Sequence, residues 1–295
     1  RLYGDNSMNY IGGNISGAGI RFSASPVNIE LDGAGDQSID ADSGILDADG
    51  TITKTTSGSL TLGGDTDIDL EGTVDVQLGS LIIEDDFSAY ADLLASQDIT
   101  FEGSIVNGEM DGSGNQYIDA QAGTLRASGT ITKTTTGDLT LGGATGINLD
   151  GTVDIQAGSL TLEDNTTVAS GQILKASYDV ILADGKTLTG TSSLTIEATN
   201  GEIKAAGTGS TISVSGSMLT LKQGADLDLA NFTFNNQSNT KLAAQSYNGS
   251  FTADNTNAAN AADQWQSITA TAEDNIELYG SGNINIASAG LSSYS

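Results

Sequence analysis

Residues 50–86 read GTITKTTSGSLTLGGDTDIDLEGTVDVQLGSLIIEDD, and residues 129–165 read GTITKTTTGDLTLGGATGINLDGTVDIQAGSLTLEDN. The offset between the two blocks is 79 residues (129 − 50), and the match extends back to Ile20 and Ile99. The repeated segments therefore span about residues 20–86 and 99–165. An internal repeat of this length predicts a stack of similar units rather than one compact globule.

Each block consists of short apolar–polar–apolar triplets, such as Leu60-Thr61-Leu62, separated by Gly, Asp or Ser. This alternation places one face of a strand inward and the other outward. Three triplets span 21 residues from Leu60 to Leu81, which predicts a parallel β-helix with about 20 residues per coil. The 79-residue repeat would then be about four coils, and the whole chain roughly 14 coils spaced about 4.8 Å apart.

A comparison of the two copies tests this interpretation. Positions predicted to face inward stay apolar, as in the pairs Val76/Ile155, Ile83/Leu162 and Leu78/Ala157. Positions predicted to face outward change their chemistry, as in the pairs Asp67/Gly146, Asp69/Asn148 and Ile82/Thr161. Lys54 and Lys133 share the inward parity, so we expect the chain to bend there and to lift each amine out at a corner.

The same alternation continues to Ile284-Asn285-Ile286, which predicts a single solenoid domain over residues 1–295. The exception is an irregular loop excursion at about residues 245–266, which is rich in Ala and Asn and contains the only tryptophan. The sequence begins at Arg1 without a methionine, and we expect a processed form or a piece of a longer polypeptide. With no recognisable cap at either end, the open strand edges predict a part of a longer rod or end-to-end self-association into a fibre.

The formal net charge of −28 disfavours nucleic acid and anionic membranes as partners. The sequence has no cysteine and no histidine, which excludes a disulfide framework and removes the commonest zinc ligand and general base. No apolar run approaches the ~20 residues of a membrane-spanning helix, so no membrane insertion is expected.

The runs SGSLTLGGDTDIDLEGTVDVQLGSLIIEDD and GDLTLGGATGINLDGTVDIQAGSLTLEDN resemble coils of bacterial filamentous-haemagglutinin-like adhesins and autotransporter passenger domains. The likeness covers most of residues 20–240. It implies an all-β, right-handed parallel β-helix (solenoid) that is secreted or displayed on a bacterial cell surface. Such relatives act in adhesion, in biofilm or in surface layers, which implies a glycan or a cell-surface receptor as a partner.

Acidic residues retained in both copies are the candidate metal ligands. Glu84 and Asp85, with their counterparts Glu163 and Asp164, are candidates for Ca²⁺ bridging between neighbouring coils. Two further acidic runs, Asp47–Asp49 and Asp65–Asp69, look like fragments of calcium loops. Because their counterparts in the second copy lack these carboxylates, solvated turns are the better interpretation.

Tyr247, Phe251 and Trp265 lie in the irregular segment and are candidates for a binding loop, because excursions from a rigid scaffold often carry binding. The alternative is that these rings pin the loop to the solenoid. Parallel β-helices also include polysaccharide-degrading enzymes, which cut glycosidic bonds with paired carboxylates. No pair stands out here among so many aspartates, so no catalytic residue and no cofactor are assigned. We expect a non-enzymatic, acidic β-helical rod that serves as a fibre or surface-layer subunit or as an adhesin stalk, with a polysaccharide-binding or polysaccharide-degrading β-helix as the alternative.

Overall fold

The computed structural model describes residues 9–22, 28–103, 105–207, 209–214, 216–235, 239–253, 264–279 and 286–293. It is an all-β structure in which parallel sheets stack as a β-solenoid of about 11 turns, roughly 23 residues apart. The predicted fold class is confirmed, but the coils are longer and fewer than the triplet spacing indicated. The chain divides into two compact units, residues 1–151 and 152–295.

In the first unit every third strand pairs in parallel, which builds three sheets. The first sheet has the order β1-β4-β7-β10-β13-β16-β19, the second β2-β5-β8-β11-β14-β17-β20 and the third β3-β6-β9-β12-β15-β18. The strands are Asn9–Ile11 (β1), Ile15–Ser16 (β2), Ile20–Phe22 (β3), Ile29–Leu31 (β4), Gln37–Ala41 (β5), Ile45–Ala48 (β6), Ile52–Lys54 (β7), Leu60–Gly64 (β8), Asp67–Leu70 (β9), Val74–Val76 (β10), Leu81–Ile83 (β11), Phe87–Ala89 (β12), Leu93–Ala95 (β13), Ile99–Phe101 (β14), Gly108–Met110 (β15), Gln116–Ala120 (β16), Thr124–Ala127 (β17), Ile131–Lys133 (β18), Leu139–Gly143 (β19) and Gly146–Leu149 (β20).

The second unit continues the same strand–turn rhythm. Its strands are Val153–Ile155 (β21), Leu160–Leu162 (β22), Thr166–Val168 (β23), Ile173–Ala176 (β24), Val180–Leu182 (β25), Thr187–Gly190 (β26), Ser193–Ala198 (β27), Ile203–Ala205 (β28), Thr211–Val214 (β29), Met218–Gln223 (β30), Leu227–Asp228 (β31), Thr233–Asn235 (β32), Lys241–Ser246 (β33), Phe251–Ala253 (β34), Ser267–Ala272 (β35), Ile276–Leu278 (β36) and Ile286–Ser293 (β37). The 3₁₀ turn Leu229–Asn231 follows β31 directly. No helix among the described residues has the length and apolar character needed to cross a bilayer.

The inward and outward assignments hold at most positions of the repeat. In β11, Leu81 and Ile83 are buried and Ile82 between them is partly exposed, as its polar counterpart Thr161 indicated. Leu78 was predicted to face inward, and this is wrong. It lies in the turn after β10 and is 57% exposed, because the alternation of a strand does not carry through a turn.

The 79-residue repeat is not a whole number of coils. Lys54 ends β7 and its counterpart Lys133 ends β18, which is eleven strands later (18 − 7). With three strands per coil, eleven strands make 11/3 coils, so β7 belongs to the first sheet and β18 to the third. The prediction of about four coils is close to this value, but the repeat does not return the chain to the same sheet. The fold permits the offset because all three sheets make the same demand, an apolar side chain at each inward position.

Lys54 and Lys133 do not turn out to solvent, as the sequence analysis expected, but are both fully buried. Lys54 Nζ donates to Gly33 O at 3.2 Å, to Gln37 Oε1 at 3.1 Å and to Thr56 Oγ1 at 3.0 Å. A buried cation requires hydrogen-bond acceptors in place of the water that it loses, and these three oxygens supply them. Burial nevertheless lowers the pKa of the Lys54 amine, with Asp36 acting in the opposite direction.

The second copy repeats this arrangement atom for atom. Lys133 Nζ donates to Gly112 O and Gln116 Oε1 at 2.7 Å each and to Thr135 Oγ1 at 3.1 Å. Gln116 is itself buried, and its Nε2 donates to Ala89 O at 2.9 Å. Each lysine thus joins a corner of one coil to the coil beneath it.

The predicted loop excursion at residues 245–266 is partly replaced by strands of the stack. β33 runs to Ser246, and β34 (Phe251–Ala253) pairs in parallel with β31 and β36. Residues 254–263 of this segment lie outside the described residues.

Replacing Lys133 by methionine tests the structural role of the buried amine. Lys133→Met leaves the acceptor Gln116 Oε1 buried without its donor, so we expect a loss of about 1–3 kcal/mol in the free energy of unfolding. Urea denaturation followed by circular dichroism measures this loss. The matched control is Lys175→Met, which removes a lysine that is 43% exposed and should change stability by less than about 0.5 kcal/mol. Equal effects of the two variants would contradict the role given to Lys133.

Candidate functional site: an acidic face on the first unit

Carboxylates from successive coils form a row on the third sheet of the first unit. In β6, β9, β12 and β15 the outward positions in register are Asp47, Asp69, Ser88 and Glu109. A second row follows directly after these strands, at the corner of each coil. Its members are Asp49, Glu71, Tyr90 and Asp111. We call the six carboxylates of the two rows, with Ser88 and Tyr90, the acidic face.

The close approach of like charges changes the acidity of this face. The pKa of Asp69 is raised, first by partial burial and then by the negative charges of Glu71 and Asp111. Burial also raises the pKa of Asp47, against the opposing effect of Arg21, whose Nε lies 3.0 Å from Asp47 Oδ2. Both shifts have the cause expected for carboxylates that lose water without gaining enough positive charge.

Two carboxylate oxygens of the acidic face are poorly satisfied. Oδ1 of Asp69 and Oδ1 of Asp111 are buried and have no hydrogen-bond partner. Burial raises the pKa of Asp111, while the hydrogen bond from the Tyr90 hydroxyl lowers it. The Tyr90 side chain is 48% exposed beside this carboxylate. An exposed aromatic ring next to carboxylates is an arrangement that can pack against and hydrogen-bond to a polar ligand such as a sugar.

The predicted calcium ligands are separated by the structure into different environments. Glu84 lies in register with Gly63 and, through it, with Asp40, and burial with the charges of Asp40 and Asp85 raises its pKa. Gly63 has no side chain, and a Cβ at this position would lie 3.0 Å from Asp40 Oδ1 and 3.3 Å from Glu84 Oε2. Asp85 accepts a hydrogen bond from Gly64 N at 3.0 Å.

In the second copy Asp164, the counterpart of Asp85, forms an ion pair with a lysine. Asp164 Oδ1 lies 2.7 Å from Lys186 Nζ, so a cation of the protein already holds this carboxylate. Glu163 is exposed. Within the described residues no group of three or more acidic side chains is arranged to hold a metal ion. Calcium binding at Glu84, Asp85, Glu163 and Asp164 stays a prediction.

The three aromatic candidates do not form one exposed surface. Phe251 is fully buried, and Trp265, which is 3% exposed, packs edge-to-face on Phe234 with ring centroids 5.2 Å apart. Neither ring is open to a ligand. Tyr247 is half-buried, and its pKa is raised by burial and by the charge and hydrogen bond of Glu197. The geometry of the described part therefore favours the alternative in which these rings anchor their segment.

The acidic face was missed by the sequence analysis, which interpreted Asp47–Asp49 and Asp65–Asp69 as separate turns. The signal was present in the spacing. Asp47, Asp69, Ser88 and Glu109 are separated by 22, 19 and 21 residues (69 − 47, 88 − 69, 109 − 88). Because the coils differ in length, a fixed period does not align these residues, and only the strand register does.

Comparisons with known proteins give no relative from which a site could be transferred: no family model, no curated protein and no solved structure matches this chain.

Replacing Asp69 by asparagine should stabilise the protein at neutral pH. The pKa of Asp69 is higher in the folded state than in the unfolded chain, so the folded state binds more protons between the two values. The free energy of unfolding therefore falls as pH rises through this window, and the ionised form opposes folding at pH 7. Asp69→Asn introduces the residue found at the matching position, Asn148, and should raise the free energy of unfolding at pH 7 by roughly 0.5 kcal/mol after solvent screening.

Thermal unfolding at neutral pH and near pH 4 measures the effect of Asp69→Asn. The gain should shrink at the lower pH, where Asp69 takes up a proton. The matched control is Asp65→Asn, at an exposed turn position whose counterpart is Ala144. A lower midpoint for Asp69→Asn at neutral pH, or the same response from both variants, would show that the charge of Asp69 does not oppose folding.

Divalent cations should stabilise the protein by relieving repulsion rather than by filling a specific site. We expect Ca²⁺ and Mg²⁺ at matched millimolar concentration to raise the unfolding midpoint by similar amounts, since both screen the carboxylates. A saturable shift with Ca²⁺ alone that is lost in Glu84→Gln would instead establish the calcium site at Glu84 and Asp85. Asp65→Asn serves again as the variant that removes one exposed charge.

Proposed function

We propose that this chain is a non-enzymatic, extracellular structural protein, a stiff acidic β-helical segment that acts as a fibre or surface-layer subunit or as an adhesin stalk. The observation that carries this proposal is the in-register parallel pairing of every third strand within the first unit. Within this unit each coil is hydrogen-bonded to the next along three sheets, with apolar side chains stacked between them. Such a stack resists bending and local opening, because a coil cannot move without breaking three ladders.

The surface chemistry supports an extended, solvated role. Tight turns keep the outward positions polar, and the excess of carboxylates gives the chain a sequence pI of about 4.1. A strong net charge keeps a repeat protein soluble and opposes uncontrolled pairing of strand edges. The resemblance of the repeated runs to adhesin coils supports the further proposal that the protein is secreted or displayed on a bacterial surface.

End-to-end association should depend on both protein concentration and salt. Because the subunits carry the same large charge, we expect fibres to lengthen between low salt and about 1 M salt, as the Debye length falls to about 3 Å. Electron microscopy and sedimentation velocity on the same samples measure this. Ordered fibres identify a fibre subunit. A monomer at every protein and salt concentration would contradict the role of a fibre subunit, and the adhesin stalk would then be the remaining form of the proposal.

One observation favours the polysaccharide-binding or polysaccharide-degrading alternative. The acidic face combines raised carboxyl pKa values at Asp69 and Asp111 with the exposed ring of Tyr90. Glycosidases use a carboxyl group with a raised pKa as the general acid. Release of reducing ends from neutral or acidic polysaccharides, lost in Asp111→Asn but kept in Asp65→Asn, would establish this alternative and overturn the structural role.

A further inference from the structure

In the second unit one of the three ladders is interrupted between two successive coils. β28 (Ile203–Ala205) pairs with β25 and is the last strand of its sheet, whereas β31 (Leu227–Asp228) begins a separate sheet with β34 and β36. On the other two faces the ladders continue, from β27 through β30 to β33 and from β26 through β29 to β32. The two coils therefore stay in contact on two faces and part on the third.

The side chain of Gln223 spans this gap as a single peptide group would. Gln223 is 2% exposed, its Oε1 accepts from Ile203 N at 3.0 Å, and its Nε2 donates to Asp226 O. In the intact part of the same sheet, Val180 N donates directly to Glu202 O at 3.1 Å. One carboxamide thus takes the place of one peptide unit between the two edges.

The edges of the gap offer further backbone groups. Ala206 N donates to Leu182 O, so the peptide groups of β28 that face β25 are already used. Because alternate residues of a strand point their N–H and C=O to opposite neighbours, those of Ile203 and Ala205 face the gap. On the other edge, Leu227 N donates to Ser250 O, and the N–H of Asp228 faces the gap by the same alternation, while Asp228 also caps the 3₁₀ turn.

The space between the edges is a cavity of about 700 Å³. We call it the slot. Charged residues that line it are Glu202, Lys204, Asp226 and Asp228. The amine of Lys204 is held by Asp179 at 2.7 Å and by Glu202 at 3.5 Å. Within the described residues neither Asp226 nor Asp228 forms an ion pair. The slot therefore presents negative charge beside backbone groups of Ala205 and Asp228 that face it.

We propose that the slot binds an extended, basic peptide segment of another protein, which adds a strand between β28 and β31. The incoming backbone completes the interrupted ladder, as in other cases of strand addition to a sheet edge. Its lysine or arginine side chains meet Asp226 and Asp228. The edges are short, since β28 has three residues, so the segment in the ladder is about three residues long. This inference does not depend on the proposed structural function.

The probe is a blocked heptapeptide of sequence Lys-Val-Thr-Val-Lys-Val-Thr, titrated into the full chain by calorimetry. One control peptide has glutamate in place of lysine, and a second has N-methyl groups on alternate residues, which remove its ladder donors. We expect the basic peptide to bind at least about tenfold more tightly than either control, because a factor of ten needs only about 1.4 kcal/mol. Hydrogen exchange should slow at Ala205 and Asp228.

Two sets of variants test the site itself. Asp226→Asn with Asp228→Asn keeps the side-chain oxygens that accept from Ser250 N and Ala230 N, so the fold is retained while the charge is lost. We expect the preference for the basic over the acidic peptide to disappear in this double variant and to persist in the control Asp274→Asn, at an exposed position of the same unit. Gln223→Ala removes the internal occupant of the slot and should tighten peptide binding several-fold.

Three results would overturn the proposal. The first is no binding of the basic peptide at millimolar concentration. The second is equal binding of the N-methylated peptide, since the backbone ladder would then play no part. The third is protection of Ala205 and Asp228 by protein concentration alone, without peptide, which would identify the slot as a contact between two copies of this chain.

Discussion

The parallel ladder between successive coils is the constraint on which the rest of the structure depends. It brings each inward side chain within about 4.8 Å of its neighbours in the coils above and below. The core of each unit is therefore narrow, and a polar group placed there must find its hydrogen bonds inside it. Lys54 and Lys133 meet this condition with three acceptors each. Two of those acceptors are the carbonyl oxygens of Gly33 and Gly112 in the coil beneath, so each buried amine strengthens the contact between coils.

The same constraint explains what could be predicted from the sequence. Alternation within a strand has a period of two, so Leu81, Ile82 and Ile83 could be assigned to faces from the triplet alone. The fold class followed from the repetition of such triplets with polar turns. The number of coils did not follow, because turn lengths vary and a triplet does not reveal which later strand it pairs with. The repeat length does not give the coil length either, because the 79-residue offset spans eleven strands, and eleven strands on three sheets are not a whole number of coils.

The candidate sites depended on features that no local pattern carries. Lys54 occupies an inward position of its strand, but a lysine can be buried there only because Gln37, which is 17 residues away in sequence, accepts a hydrogen bond from its amine. The acidic face depends on the strand register, which a fixed period does not reveal because the coil length changes from coil to coil. The slot depends on a ladder that is absent, and Gln223 would count as an ordinary polar residue at the end of a strand if the separation of β28 and β31 were not known.

The two copies of the repeat also separate what the fold requires from what the surface carries. The lysine, the glutamine and the glycine of the buried cluster are identical in both copies, and each takes part in the same hydrogen bonds. Asp69, in contrast, is matched by Asn148, and the raised pKa of Asp69 means that its ionised form opposes folding. A charge that the second copy does without, and that lowers stability where it is present, is not explained by the needs of the ladder. Its contribution lies outside the fold, in the repulsion and solvation that govern how the acidic face meets other molecules.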